Sequence, residues 1–343
     1  TIVLTEPTAK FEFAGIGESP LLSINRGFSA PINLETDLDT DVLAFLAARD
    51  SDAFNRWQAL QTISMRLLLD NVAATRTGKP LREDDRLVQA FATTLEDNSL
   101  EPAFVALALI LPSEGDIARE IGKDIDPDAI FQARTALRAE LGQHLGVSLA
   151  SVYERMADAA GYSPDARSAG RRALRNTVLD LLAANATPAA IARADRQYGN
   201  ADNMTDRMAA LATLSLHDVT ERKNALADFY SRYAGDPLVV DKWFSLQAAI
   251  PHRDTLDHVR ALTNHPAFSL ANPNRVRSLI GAFAQGNSTQ FNRPDGAGYE
   301  FIADTVLALD QKNPQVSARL ATAFRNWRTM ERGRQAKADQ ALR

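Results

Sequence analysis

The sequence predicts a mainly α protein, an irregular helical solenoid preceded by a short β segment. Three features predict this. Residues 1–36 alternate and cluster β-formers, with Phe11 and Phe13 around Glu12 and the stretches TIVL, SPLLSI and PINLE. From DTDVLAFLAARDSDAFNRWQALQTISMRLLLDNV onward, apolar residues recur at three and four positions, the spacing of one helical face. Turn and cap signals then divide the chain into segments of about 10 to 20 residues, the ordinary length of a helix, without a return to alternation.

The first long helix shows its buried face in Phe54, Trp57, Leu60, Gln61, Ser64, Leu67 and Leu68. The longest apolar run, AFVALALIL at 103–111, is bounded by Pro102 and Pro112 and reads as a buried helix, far short of the roughly 20 residues of a membrane span. Asp126 before Pro127 and Asn272 before Pro273 each place an N-cap ahead of a proline in the first helical turn. GDP at 235–237 and RPDG at 293–296 mark turns between helices. Val276, Leu279, Ile280 and Phe283 fall on one helical face and belong to the core, and Trp243 and Phe244 read as packing residues rather than a ligand cage. Many helices with short connections and no clean repeat imply an ARM/HEAT-like superhelix of helix pairs, inferred from element order and length alone.

A chain of 343 residues exceeds one ordinary core and predicts about two domains. Residues 1–36 are too few to bury a sheet face or satisfy its edges, so they read as the end of a truncated β-sandwich, with a helical domain over 37–343. Together with a start at Thr1, this favours a fragment.

Net charge is −5, giving no broad attraction to nucleic acid or to an anionic membrane, and neither is expected as a partner. There is no cysteine, hence no disulfide framework and no thiolate metal site, which suits a reducing compartment. The N-terminal TIVLTEPTAKFEF lacks the basic start and long apolar centre of a secretory signal. A cytoplasmic location is expected.

The search for reactive groups is mostly negative. None of the five histidines sits in H-E-x-x-H, and no Gly-rich phosphate loop or G-x-S-x-G elbow occurs. Asp254 and His258 lie four apart and read as an intrahelical contact rather than a metal pair. DIDPD at 124–128 starts like a calcium loop, but Ala129 replaces the turn glycine and Thr135 the closing acid, so helix capping is expected. Arg171, Arg172 and Arg175 read as a solvated helix face rather than an anion site, and Asp241 with Lys242 as a helix-start pair. Arg275 and Arg277 are harder to place: cations in a first helical turn oppose the macrodipole and require a compensating anion or carbonyl.

DNMTDRMAAL at 202–211, PLVVDKWFSLQA at 237–248 and above all NPNRVRSLIGAFAQGNSTQFNRPDGAGYEFIADTVLALDQKNPQVSARL at 272–320 resemble the C-terminal helical domain of the bacterial alanyl aminopeptidases N, zinc enzymes of the M1 family. TAKFEF, INRGFSAPINLE and RWQALQ continue the likeness, which runs in order over nearly the whole chain. The resemblance implies that residues 1–36 are the tail of an Ig-like β-sandwich and residues 37–343 the helical domain capping the active-site chamber and controlling peptide access. The family's zinc ligands, in H-E-x-x-H and a downstream glutamate, have no counterpart here, so the catalytic and metal residues of this chain are none and zinc is expected in a catalytic domain upstream. The implied partners are the upstream catalytic and N-terminal domains of the same polypeptide and, in the full enzyme, peptide substrates. The positions that match NPNR-x-R and NPQV-x-x-RL in the family imply that Arg277 and Arg319 face the substrate chamber. Structural pairing of either arginine with Asp295 or Asp310 is the competing expectation. So, for the chain as a whole, is a free-standing helical-repeat module that binds peptide or protein without catalysis, while an unmarked hydrolase is a third.

Overall fold

Helix follows helix from Thr40 to Leu342 in the computed structural model, which describes residues 5–18, 20–32, 34–157 and 161–343. The expected β segment is not found: the described part of residues 5–39 carries one 3₁₀ turn, Arg26–Phe28, and no strand. The TIVL stretch lies outside the described residues. A strand needs a laddered partner, and the isolated bridge among described residues is far along the chain, between Ile125 and Met330. The segment is tied down by polar contacts instead. Arg26 donates to Asp50 at 2.7 Å and to Ser51 at 2.8 Å, Asn55 donates to the Ile24 carbonyl at 2.9 Å, and the Phe28 ring lies 5.1 Å from Phe54. Phe11 and Phe13 are left exposed.

The helices up to the middle of the chain are α1 (Thr40–Arg49), α2 (Ala53–Arg76), α3 (Asp85–Glu96), α4 (Pro102–Ala108), α5 (Glu114–Ile121), α6 (Pro127–His144), α7 (Gly146–Arg155) and α8 (Ala166–Ala183). They are followed by α9 (Pro188–Asn200), α10 (Met204–Ser215), α11 (Thr220–Tyr233), α12 (Pro237–Ala248) and α13 (Thr255–Leu262). Many pack on near neighbours in sequence, α1 on α2, α7 on α8, α9 on α10, and α11 on α12, while α4 packs on α8 and α2 on α6 across longer separations. This is the succession of helix pairs that the element order predicts.

Caps explain where the helices start. Asp126, Thr187, Asp236, Asn272 and Asn313 each accept a first-turn backbone N–H and each precede a proline, whose missing N–H would be unbonded there anyway. DIDPD is therefore a helix start, as its residues predict. The helix within 103–111 differs in burial from the expectation: Val105, Ala106, Ala108 and Leu109 are buried, but Leu107 and Ile110 face outward. Helix α4 lies against α8, α2 and α3 and leaves Leu107 to solvent, so the run is one-sided in spite of its uniform apolarity. No helix among the described residues is long and apolar enough to cross a membrane.

A single apolar core runs from Leu43 to Ala338. In α12, Trp243 and Phe244 are buried beside Tyr230, His265 and Phe268, and the Trp243 indole N–H donates to the Leu226 carbonyl at 2.9 Å. They are packing residues.

Candidate functional site

The C-terminal third places the two singled-out arginines. Asn272 caps a helix whose first turn, α14 (Pro273–Val276), passes into a π turn over Arg277–Gly281 and returns to α-helix in α15 (Ala282–Gly286). In the π turn the Ala282 N–H reaches the Arg277 carbonyl five residues back, widening the helix by one residue. The core residues Val276, Leu279, Ile280 and Phe283 are all buried, as the periodicity predicts. From Arg275 to Ile280 every residue is buried except Arg277.

The paired arginines thus have different fates. Arg275 turns inward, donating to the carbonyls of Ala267 at 2.9 Å and Pro237 at 2.8 Å, and pairs with Asp241, which also accepts from Ser278 at 2.9 Å. Its compensating anion is an acid in the second turn of α12, not the expected Asp241–Lys242 helix-start pair. Arg277 points outward, its Nε donating to the Pro273 carbonyl at 3.2 Å and its fork to the Asn274 side chain. It has no acid partner among the described residues.

Beyond α16 (Ser288–Phe291) and α17 (Ala297–Asp310), Asn313 and Pro314 start α18 (Pro314–Ala321), with Arg319 in its last turn. A cation is favoured there by the macrodipole. The Arg319 side chain is exposed and makes no ion pair or hydrogen bond among the described residues. Asp295 is taken by Arg293 at 2.8 Å, and neither Arg277 nor Arg319 pairs with Asp295 or Asp310.

Both arginines line one groove of about 660 Å³, together with Val276, Gly281, Gln285 and Val316. No acid, lysine or histidine lines it, so it offers fixed donors and apolar contact without a proton-transfer group. Two planar guanidinium forks suit peptide carbonyls or a carboxylate. Among the described residues no group of three or more histidines, acids or cysteines could hold a metal ion.

Two further expectations are corrected. Asp254 and His258 share only a backbone bond: the His258 ring instead lies 2.8 Å from Gln247 Oε1, and the Asp254 carboxylate is 3.6 Å from His252. The acid starts the helix and turns outward, whereas the histidine reaches a buried amide. Arg171, Arg172 and Arg175 are not a solvated face. Arg171 donates to the carbonyls of Arg155 and Ala157 at 2.8 and 2.9 Å, Arg172 is buried, and Arg175 lies over the Tyr153 ring. The end of α7 holds Arg171, and α9 with the segment at 161–162 covers the other two, which local spacing does not encode.

Burial pushes His217, His258 and His265 below the ordinary histidine value, with Arg138 and Arg222 repelling the charged His217 and Arg222 the charged His258. Depressed in the fold, these rings take up protons later than in the unfolded chain, so their contribution is intact above about 6.5 and fades as pH falls below it. Thermal unfolding at pH 7.5 and 5.5 is expected to give a lower midpoint at pH 5.5, with a smaller drop in His258→Gln. An equal drop in that variant would clear His258 of the effect.

Against known proteins, residues 40–343 match a family model described as "Domain of unknown function (DUF3458_C) ARM repeats". Aminopeptidase N of Caulobacter vibrioides is 40% identical over 328 residues, 95% of this chain and 37% of that protein. Aminopeptidase N of Escherichia coli is 34% identical over 339 residues, 99% of this chain and 39% of that protein. The crystal structure of Legionella pneumophila aminopeptidase A in complex with aspartic acid superposes with a TM-score of 0.82 at 27% identity, covering 93% of this chain and 38% of that one. The chain spans less than two fifths of the length of these relatives.

Proposed function

Because the chain belongs to the DUF3458_C family of ARM-repeat domains, we propose that it works as the C-terminal helical domain of an M1-type zinc aminopeptidase N. In this reading it caps the active-site chamber of a cytoplasmic enzyme that removes N-terminal residues from peptides, and it controls their access. Zinc and the catalytic groups belong to a domain upstream, and residues 1–36 complete an Ig-like β-sandwich begun there. The exposed Phe11, Phe13, Leu21 and Leu22 support that completion, since such apolar side chains want a partner surface.

The observation that carries the reading is the groove in which Arg277 and Arg319 converge without an acid to neutralise them. Their role is to hold substrate carbonyls or a carboxylate, not to move protons. The metal-loaded 343-residue chain alone should not hydrolyse an alanyl anilide, and steady turnover would overturn this assignment. In the enzyme encoded by the full reading frame, Arg277→Ala and Arg319→Ala should each lower kcat/KM on peptides by about tenfold, the size of one charge-assisted hydrogen bond. Unchanged peptide turnover with a lowered thermal midpoint would make both residues structural.

A further inference from the structure

We infer that the pocket between α8, α9 and the turn at 161–162 binds a small oxyanion, a phosphate or carboxylate group, with Arg172 as its central donor. The pocket has a volume of about 320 Å³ and lies apart from the Arg277–Arg319 groove. Arg172 and Arg175 reach it from α8, and Arg193 and Arg196 from α9. Each pair is three residues apart, so each helix turns one cationic edge toward the other.

Arg172 is the unusual member. It is 7% exposed, and its guanidinium makes no hydrogen bond or ion pair among the described residues. It lies 4.8 Å from the centre of the Tyr162 ring, and its Nη1 is buried without a partner. A buried guanidinium N–H without an acceptor is costly, and such groups persist where an anion completes them. Arg175 and Arg193 repeat the pattern more weakly, each with a buried Nε that lacks an acceptor. Both stack on Tyr153, at 4.5 and 5.3 Å, which holds the two forks in fixed planes before any ligand arrives.

The acids at the pocket answer these cations only in part, Asp202 feeling the Arg172 charge without a hydrogen bond to it and Glu154 pairing loosely with Arg193. Asp202 accepts from the Tyr162 N–H and from Asn203, both at 2.9 Å, which fixes the turn that covers Arg172. Asp206 accepts from Asn176 at 2.8 Å and Asn203 at 3.0 Å, and Glu154 stands 3.6 Å from Arg193. Among the described residues four arginines and three carboxylates line the pocket, and two of those carboxylates take their hydrogen bonds from amides. The Tyr153 hydroxyl accepts from Arg175 at 3.1 Å and donates to Gln197 at 3.0 Å, giving the pocket a rigid polar floor. Planar guanidinium forks over such a floor match the oxygens of phosphate or carboxylate.

Isothermal titration of the 343-residue chain at fixed ionic strength, with inorganic phosphate in one series and malonate in the other, tests this. A saturable site that depends on Arg172 is expected, with a Kd below about 1 mM. Arg172→Gln should weaken binding at least tenfold, whereas Arg82→Gln, at an exposed surface pair with Asp70, should leave it unchanged. A preference for phosphate assigns a phosphorylated ligand and a preference for malonate a carboxylate. Absence of saturable heat with both anions, or equal affinity in Arg172→Gln, would overturn the site. Should Arg172→Gln fail to fold, Arg196→Gln on the exposed rim replaces it: several-fold weaker binding supports the site, and unchanged affinity overturns it.

Discussion

Replacing Arg334 by alanine should cost about 3 kcal/mol of unfolding free energy, the scale for breaking one side of a buried charge cluster. Arg334 belongs to the last helix, α19 (Arg332–Leu342), and is 4% exposed. Its Nε donates to the Asn292 carbonyl at 2.6 Å, and its fork meets Glu331 at 3.2 Å, Asp126 at 3.5 Å, and Asp128. Without it, three carboxylates would face one another with no cation between them. The residues of the Asp128 pair are 206 positions apart, so the loss also weakens the tie between the C-terminal helix and the start of α6, leaving the Ile125–Met330 bridge to hold them. Urea unfolding of the 343-residue chain measures this. Arg334→Met should be nearly as damaging, since it restores volume but not charge, and a second change of Asp128→Asn should recover part of the loss. A loss below about 1 kcal/mol in Arg334→Ala would show that solvent already screens the cluster.

Gly298→Ala should destabilise by about 2 to 3 kcal/mol through backbone overlap. A Cβ at Gly298 would stand 2.3 Å from the Phe291 carbonyl oxygen and 2.4 Å from that of Gln290. These are main-chain atoms of α16, which cannot swing aside as a flexible side chain would, so α17 would have to shift. Tyr299 would shift with it, and its buried ring lies 5.1 Å from Phe291 while its hydroxyl donates to Asn292 at 2.9 Å. Gly199→Ala is the control. It lies in α9 with nothing within 4 Å of the added carbon, and should be neutral or stabilising by about 0.5 to 1 kcal/mol from helix propensity. Equal midpoints for Gly298→Ala and the parent would mean that the two helices separate easily.

Helix starts, turns and the 276–283 core were legible in the sequence because each depends on residues within one or two turns of each other. Asn272 and Pro273 define a helix start whatever the rest of the chain does. The partner of Arg275 was not legible: Asp241 stands 34 residues earlier, with no spacing to announce it. Arg171, Arg172 and Arg175 have the composition of a solvated face, and only the placement of α7, α9 and Tyr162 takes them out of solvent. The alternation around Phe11 and Phe13 signals a strand, but a strand is a relation between two segments, and no described segment pairs with it. Arg277 and Arg319 were singled out by resemblance. That they share a groove follows from the packing of α18 beside the helix at 273–286, a tertiary fact.

The π turn also sets the angular phase of the groove. Each residue of an α-helix advances the side chains by about 100°, so the extra residue held in the Arg277–Gly281 turn offsets everything after it by that angle. Deletion of one residue there would relax the turn to ordinary helix and rotate Arg277 relative to Phe283 by more than a quarter of a circle. The core would then retain either Leu279 and Ile280 or Phe283 on its side, but not both sets. The outward aim of Arg277 is thus recorded in a residue count, and a one-codon deletion would erase it more thoroughly than replacement of the arginine itself.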